Sequence, residues 1–69
     1  MEIIKLRDDF IKLGQALKAA GFVESGVEAK IFIQDGQVMV NDVVELQRGK
    51  KLYGGEIIEF QGKCIRIEK

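Results

Sequence analysis

The spacing of hydrophobic residues changes near the middle of the chain. Over residues 10–20 the apolar positions recur every three or four residues, as on one face of a helix. Asp8 or Asp9 is placed to cap the first turn, and Gly21 is expected to end the helix in a left-handed conformation. The sequence therefore predicts a first helix whose buried side consists of Phe10, Leu13, Ala16, Leu17 and Ala20.

A second helix is predicted over residues 25–35. Ser25 and Glu28 have the spacing of a capping box, in which the two side chains satisfy exposed backbone amides of the first turn. Gly36 is expected to close this helix. Only residues 21–24 separate the two helices, so we expect them to lie side by side, as in a helix-turn-helix or an αα hairpin. The buried side of the second helix is predicted to hold Ala29, Phe32 and Ile33.

Beyond Gly36 the apolar period falls to two, which is typical of strands. Residues 38–40 and 43–46 are predicted to form a hairpin around Asn41-Asp42, because both residue types tolerate the positive φ of a tight turn. A second hairpin is predicted for residues 56–60 and 63–67, and a further strand for residues 2–6. Helices before strands give an α+β fold, in which the two-helix unit packs on a small, mostly antiparallel β-sheet.

Length and composition restrict the function. The 69 residues are expected to form one domain over residues 1–69, too small for a deep substrate cavity. No apolar run approaches the roughly 20 residues that span a bilayer, so no membrane partner is expected. The first residues lack the pattern of a secretory signal, and a cytoplasmic location is expected.

Catalytic and metal-binding residues are scarce. The chain has no histidine, and Cys64 is its only cysteine, which excludes a disulfide, the usual zinc spacings and a histidine-based catalytic pair. Cys64 is expected to be an inert, buried thiol. We therefore expect no metal site, no cofactor and no enzymatic activity.

Charge is balanced overall but unevenly arranged. Eleven basic residues match eleven acidic ones, so only local clustering could attract a polyanion. Arg48, Lys50 and Lys51 lie in a polar connection with no acidic residue between Glu45 and Glu56. Gly49 lets the backbone of this loop approach a phosphate closely. A solvated loop kept soluble by its charge explains the same residues equally well.

Other polar residues could extend such a site. Ser25 is first a helix cap, although the helix terminus it caps also presents amides to a phosphate. Tyr53 could stack on an unpaired base, or could simply lie half-buried beside the core. The remaining candidates, each also explicable as an ordinary surface residue, are Lys12, Lys18, Lys30, Gln15, Gln34 and Asn41.

Residues 12–60 together resemble the S-four (S4) RNA-binding domain, also called the alpha-L motif. The family pattern has a leucine-rich first helix, then Ser, Ala and Ile at successive helical turns, a glycine, Val-x-Val-Asn-Gly and later Pro-Gly-Asp before a strand. The short stand-alone members, called YaaA-type, look most similar, because they share an Ile-x-Lys-Leu-Arg start and a basic Arg-Gly-x-Lys loop. The matching residues here are Leu13, Leu17, Ser25, Ala29, Ile33, Gly36, Val38, Val40, Asn41 and Gly55.

The resemblance implies a function and also shows departures. It implies a non-enzymatic protein that binds the backbone of structured RNA, ribosomal or transfer RNA, with a role in ribosome assembly or translation. Gly26 stands where many members have an arginine that would contact RNA, and Lys30 is the nearest replacement in sequence. Asp42, Gly54 and Glu56 also depart from the family residues. The implied RNA-binding residues are Lys12, Lys18, Ser25, Lys30, Gln34, Asn41, Arg48, Gly49, Lys50 and Lys51.

Two other functions fit part of the sequence. A small protein-interaction module of the ubiquitin-like kind has a similar size. The sulfur carriers of that kind need a free terminal Gly-Gly pair for acyl activation, whereas the Gly54-Gly55 pair is internal here. DNA binding by a helix-turn-helix would leave only Lys30 and Gln34 to read a groove, which is sparse, so DNA is an unlikely partner.

Overall fold

The computed structural model describes residues 1–69, which form two helices and seven strands. Two strands precede the helices and five follow them. The helices are α1 (Leu13–Ala19) and α2 (Gly26–Gln34). The strands are β1 (Glu2–Lys5), β2 (Ile11–Lys12), β3 (Val38–Val40), β4 (Val43–Val44), β5 (Lys51–Leu52), β6 (Ile57–Phe60) and β7 (Lys63–Glu68).

Five strands form one sheet in the order β1-β7-β6-β3-β4. The β1·β7 pair is parallel and the other three pairs are antiparallel, which confirms the mostly antiparallel sheet. The strand predicted at residues 2–6 is present as β1, and it pairs with β7, the last strand of the chain. Strands β2 and β5 form a separate antiparallel pair that the sequence pattern did not predict.

One face of the five-stranded sheet is buried and the other is open. Residues facing each other across β3, β6 and β7 are buried together, because side chains alternate between the two faces of a sheet. The helices pack against each other and supply Leu17, Ala29 and Ile33 to the same core. The sheet contributes Val38, Val40, Ile58, Phe60, Ile65 and Ile67.

The first helix begins later than the sequence indicated. It starts at Leu13, because Ile11 and Lys12 are extended and pair with β5. Asp8 and Asp9 therefore do not cap it, and Phe10 lies outside the helix. The backbone amide of Lys12 instead donates to Gln15 Oε1, 3.1 Å away. The cap predicted at Gly21, at the C-terminal end of α1, is confirmed.

Both helices end as predicted at glycines with positive φ, 77° at Gly21 and 79° at Gly36. In each case the amide of the glycine and that of the next residue donate back to carbonyls of the last turn, at 3.0–3.1 Å. This pattern satisfies carbonyls that would otherwise lack partners. A residue with a Cβ adopts this conformation only at a cost in free energy.

The second helix agrees with its predicted limits. Ser25 Oγ accepts a hydrogen bond from the Glu28 amide at 3.2 Å. The carboxylate of Glu28 reaches one residue further back than in the usual capping box, to the amide of Glu24 at 3.2 Å. The aromatic ring of Phe32 packs against Phe60, with 5.0 Å between ring centroids.

Both predicted hairpins are present, with differences in length. Asn41 and Asp42 have φ of 51° and 66°, and Gln61 and Gly62 have 51° and 75°, so both turns have two successive residues with positive φ. Strand β4 ends at Val44, two residues earlier than predicted. It is an edge strand with exposed side chains, so burial does not hold the next residues in the sheet.

A compact turn before β6 is held by one carboxylate. Glu56 accepts hydrogen bonds from the amides of Tyr53 and Gly54, both at 2.8 Å. Partial burial opposes ionisation, but these amides, the amide of Glu56 itself and the charge of Lys50 outweigh it and lower the pKa of Glu56 below 4.5. Cys64, on the open face of the sheet, is half-buried rather than buried.

The Glu56→Gln substitution should lower the free energy of unfolding at neutral pH by about 1 kcal/mol, because a neutral amide accepts these hydrogen bonds less strongly. A pKa lowered by folding adds stability above the ordinary pKa, and that stability is lost as the pH falls below it. The difference between variant and wild type should therefore shrink in acid.

Urea unfolding at neutral pH and well below pH 4.5 checks this prediction. Glu59→Gln is the control, because Glu59 makes no such hydrogen bonds. A Glu56→Gln difference of the same size at both pH values would contradict the role of the ionised carboxylate.

Candidate functional site

Residues from three separate segments meet in a cleft beside the start of α2. Its volume is about 330 Å³. We call it the cationic cleft, because three of its side chains are positively charged and none is acidic or apolar. Its lining residues are Lys12, Gly14, Gln15, Lys18, Gly26, Arg48 and Gly49.

The cleft exists because a loop is bound to the first turn of α1. The amide of Leu13 donates to the carbonyl of Lys50 at 2.8 Å, and that of Gly14 to the carbonyl of Arg48 at 3.0 Å. The first amides of a helix have no partner within the helix, so the loop carbonyls satisfy them. The segment from Arg48 to Lys51, here called the cationic loop, is thereby fixed against the helix that carries Lys18.

Arg48 crosses the cleft at close range. An ideal Cβ on Gly14 would lie 2.6 Å from Arg48 Cγ, so only glycine leaves room for this side chain. The guanidinium Nη1 donates weakly to the carbonyl of Gly26 at 3.5 Å. Arg48 therefore lies beside Gly26, the helix position at which the family pattern has an arginine.

Several cations lie close together in the folded chain, although like charges repel each other. Lys12 and Lys51 face each other across the β2·β5 pair, and like charges directly opposite each other destabilise a strand pair. Of the three cleft cations, only Arg48 donates a side-chain hydrogen bond within the protein, and its acceptor is a carbonyl rather than a carboxylate. The amide of Gly49 also makes no internal hydrogen bond. The cleft therefore has the charge and the donors to receive an anionic group.

The predicted residues on α2 flank the cleft rather than line it. Ser25 precedes Gly26, and its hydroxyl is occupied by the Glu28 amide. Lys30 is exposed one turn beyond Gly26 on the same side of the helix, and Gln34 is exposed one turn further. Neither lines the cationic cleft.

The other predicted residues line a second cleft of about 360 Å³, on the far side of the cationic loop. We call it the Tyr53 cleft, after the aromatic residue in its wall. The Asn41 side-chain oxygen accepts from the amide of Ile57 at 2.9 Å, so this residue has a structural role as well. The cleft is lined by Val40, Asn41, Val43, Glu45, Lys50, Lys51, Tyr53 and Glu56.

Sequence reasoning missed three residues at these clefts or weighed them too lightly. Gly14 carried a usable signal, because a glycine inside a helix costs up to about 1 kcal/mol relative to alanine and calls for a packing reason. Gln15 lines the cationic cleft, although the sequence analysis leaves it out of the implied RNA-binding residues. Phe10, assigned to the buried side of α1, instead packs against Tyr53.

No group of three or more His, Cys, Asp or Glu side chains could hold a metal ion. Neither helix is long and apolar enough to cross a membrane.

Known proteins resemble this chain over most of its length. A family model described as the S4 domain matches residues 4–68. The probable ribosome maturation protein RlbA of Bacillus subtilis (strain 168) is 42% identical over 59 residues, which cover 86% of this chain and 83% of the relative. The putative RNA-binding protein YbcJ of Escherichia coli (strain K12) is 37% identical over 57 residues, which cover 83% and 81%.

A solved structure agrees with the fold. The solution structure of E. coli YbcJ, described as revealing an alpha-L motif involved in RNA binding, matches with a TM-score of 0.76 at 33% identity. The match covers 100% of this chain and 89% of that one.

Replacing glycine by alanine within a helix usually raises the free energy of unfolding by about 1 kcal/mol. The Gly14→Ala substitution should not raise it, because the new methyl group displaces Arg48. Urea unfolding should show no gain, and the Arg48 guanidinium NMR signals should shift. Gly26→Ala is the control, since nothing lies within 4 Å of its Cβ. A full gain for Gly14→Ala with unchanged Arg48 signals would contradict the close approach.

Proposed function

Because the chain belongs to the S4 domain family, we propose that it is a non-enzymatic RNA-binding protein whose cationic cleft grips the sugar-phosphate backbone of structured RNA. The observation that carries this proposal is the convergence of Lys12, Lys18 and Arg48 in one cleft that contains no carboxylate. Contacts to phosphates position a protein on a nucleic acid and supply most of its salt-dependent affinity.

The residues of the cleft have complementary roles in this proposal. Lys12 and Lys18 act as point charges, whereas the planar guanidinium of Arg48 can hold one phosphate through two parallel hydrogen bonds. The amide of Gly49 adds a neutral donor to the same wall. Such contacts recognise the shape and charge of an RNA helix rather than its sequence.

The flanking residues extend the interface in two directions. Ser25, Lys30 and Gln34 continue it along the exposed side of α2, where Gly26 and Val27 have amides without partners in the helix. Lys50 and Lys51 continue it along the cationic loop towards Asn41. All of these side chains are exposed.

Ribosomal or transfer RNA is the ligand class we propose, with a role in ribosome assembly or translation. The names of two relatives support this direction, since one is called a probable ribosome maturation protein and the other a putative RNA-binding protein. The proposal places the protein in the cytoplasm, where these RNAs function, and requires no cofactor.

The expected affinity is modest. The chain has no net charge, so long-range attraction to RNA comes from the clefts alone. About four or five phosphate contacts give a modest affinity, and the counterions that they release make binding weaken steeply as salt rises. An RNA site already shaped within a ribosomal particle would suit such a protein.

Replacing Lys18 and Arg48 together by alanine should remove two phosphate contacts. A plot of log affinity for ribosomal RNA against log salt concentration has a negative slope. This slope should become less steep by about 2, since each phosphate contact contributes roughly 1. Filter binding of purified ribosomal RNA across a salt series measures this slope.

The matched control is Lys5→Ala with Arg66→Ala, which removes the same two residue types from strands β1 and β7 on the open face of the sheet. This control should bind ribosomal RNA like the wild type. Equal losses in the two double variants would show a dependence on net charge alone and would contradict the assignment of the cleft.

A further inference from the structure

Phe10 and Tyr53 pack together beside the β2·β5 pair, where Tyr53 forms an exposed aromatic platform. The rings of Phe10 and Tyr53 lie 6.0 Å apart between centroids at an angle of 56°. Lys51 Nζ lies 4.8 Å from the Phe10 ring centroid, within the range of a cation–π contact. Tyr53 is 51% exposed, whereas Phe10 is half-buried behind it.

The position of Tyr53 is fixed before any ligand binds. Its backbone amide donates to Glu56 at 2.8 Å, and the neighbouring residue Leu52 is fully buried in the core. The Phe10 ring packs against one side of the Tyr53 ring. A flat aromatic surface held in this way loses little conformational freedom when a second ring stacks on it.

The Tyr53 cleft also offers polar groups to a ligand. Because Asn41 Oδ1 is engaged by Ile57, the side-chain NH₂ group of Asn41 remains as a donor. Lys50 and Lys51 supply positive charge to the same cleft. The carboxylates of Glu45 and Glu56 also line it, but each already accepts from backbone amides.

The approach to this platform is directional. Lys12 of the cationic cleft faces Lys51 of the Tyr53 cleft across the strand pair, so cations connect the two clefts. On another side of Tyr53 a third depression is lined by Asp8 and Asp9, whose two negative charges outnumber the one positive charge of Lys69 there. An RNA backbone is therefore favoured along the cationic loop, which carries three cations and no carboxylate, over the Asp8–Asp9 side.

We propose that the Tyr53 cleft binds an unpaired RNA base, stacked on the Tyr53 ring, next to the paired RNA held in the cationic cleft. This inference rests on the proposed function, and it adds that the ligand has an unpaired nucleotide beside a helix. Stacking on aromatic side chains tolerates any base, because every base has a π face.

The experiment compares two hairpin RNAs that differ only in a short single-stranded tail of adenosines. The wild type should bind the tailed hairpin about five- to tenfold more tightly than the blunt one. Tyr53→Ala should bind both hairpins with the affinity that the wild type has for the blunt one, and Tyr53→Phe should keep the preference. A circular dichroism spectrum like that of the wild type confirms that each variant is folded.

A second measurement uses the single tyrosine of the chain. Protein labelled with 3-fluorotyrosine gives one ¹⁹F NMR signal, which should move upfield when the tailed hairpin binds, because the ring current of a stacked base shields the fluorine. The blunt hairpin should leave the signal almost unchanged. This readout does not depend on any substitution.

The outcomes separate the two proposals. Equal affinity for both hairpins, with an unmoved fluorine signal, would overturn the stacking site and leave backbone binding intact. The Lys18→Ala, Arg48→Ala double variant should bind both hairpins more weakly, by the same factor, and should still prefer the tailed hairpin. Binding of neither hairpin by the wild type at low salt would contradict the proposed function, and the stacking site with it.

Discussion

The two hydrogen bonds from the first turn of α1 to the cationic loop hold the proposed interface together. Leu13 and Gly14 donate to the carbonyls of Lys50 and Arg48, at 2.8 and 3.0 Å. In stability each is worth about 1 kcal/mol, which is modest. Their larger effect is geometric, because they bind a loop distant in sequence to the helix that carries Lys18. Without them Arg48 would have no fixed position over Gly14, and the cationic cleft would lose one wall.

The same arrangement explains how a protein without net charge can present a cationic surface. Carboxylates are absent from the lining of the cationic cleft, whereas Asp8 and Asp9 line a separate depression beside Tyr53. Bringing like charges together costs free energy, and Lys12 and Lys51 lie directly opposite each other in the β2·β5 pair. An anionic ligand would remove it. Charge separation within a small fold therefore favours binding through local contacts over attraction at long range, and it ties affinity to salt concentration.

Sequence reasoning succeeded where a local rule determines the structure. The α+β class, the limits of α2, both glycine caps and both hairpin turns follow from periodicity, capping and positive φ. It failed at the start of α1, because the pairing of Ile11 and Lys12 with β5 depends on residues about 40 positions away in the chain. For the same reason it could name the cations of the cleft but not their grouping. Gly14 was the one local clue to the close approach of Arg48. The roles of the individual site residues in RNA binding remain predictions.

The proposed interface is the surface formed where the cationic loop meets the two helices. The most direct measurement is a titration of ¹⁵N-labelled protein with ribosomal RNA fragments, followed by the backbone amide shifts. We expect the largest changes at Gly14, Gly26, Arg48 and Gly49, and none on the open face of β1 and β7. Changes concentrated on β1 and β7, with the loop amides unmoved, would contradict this interface.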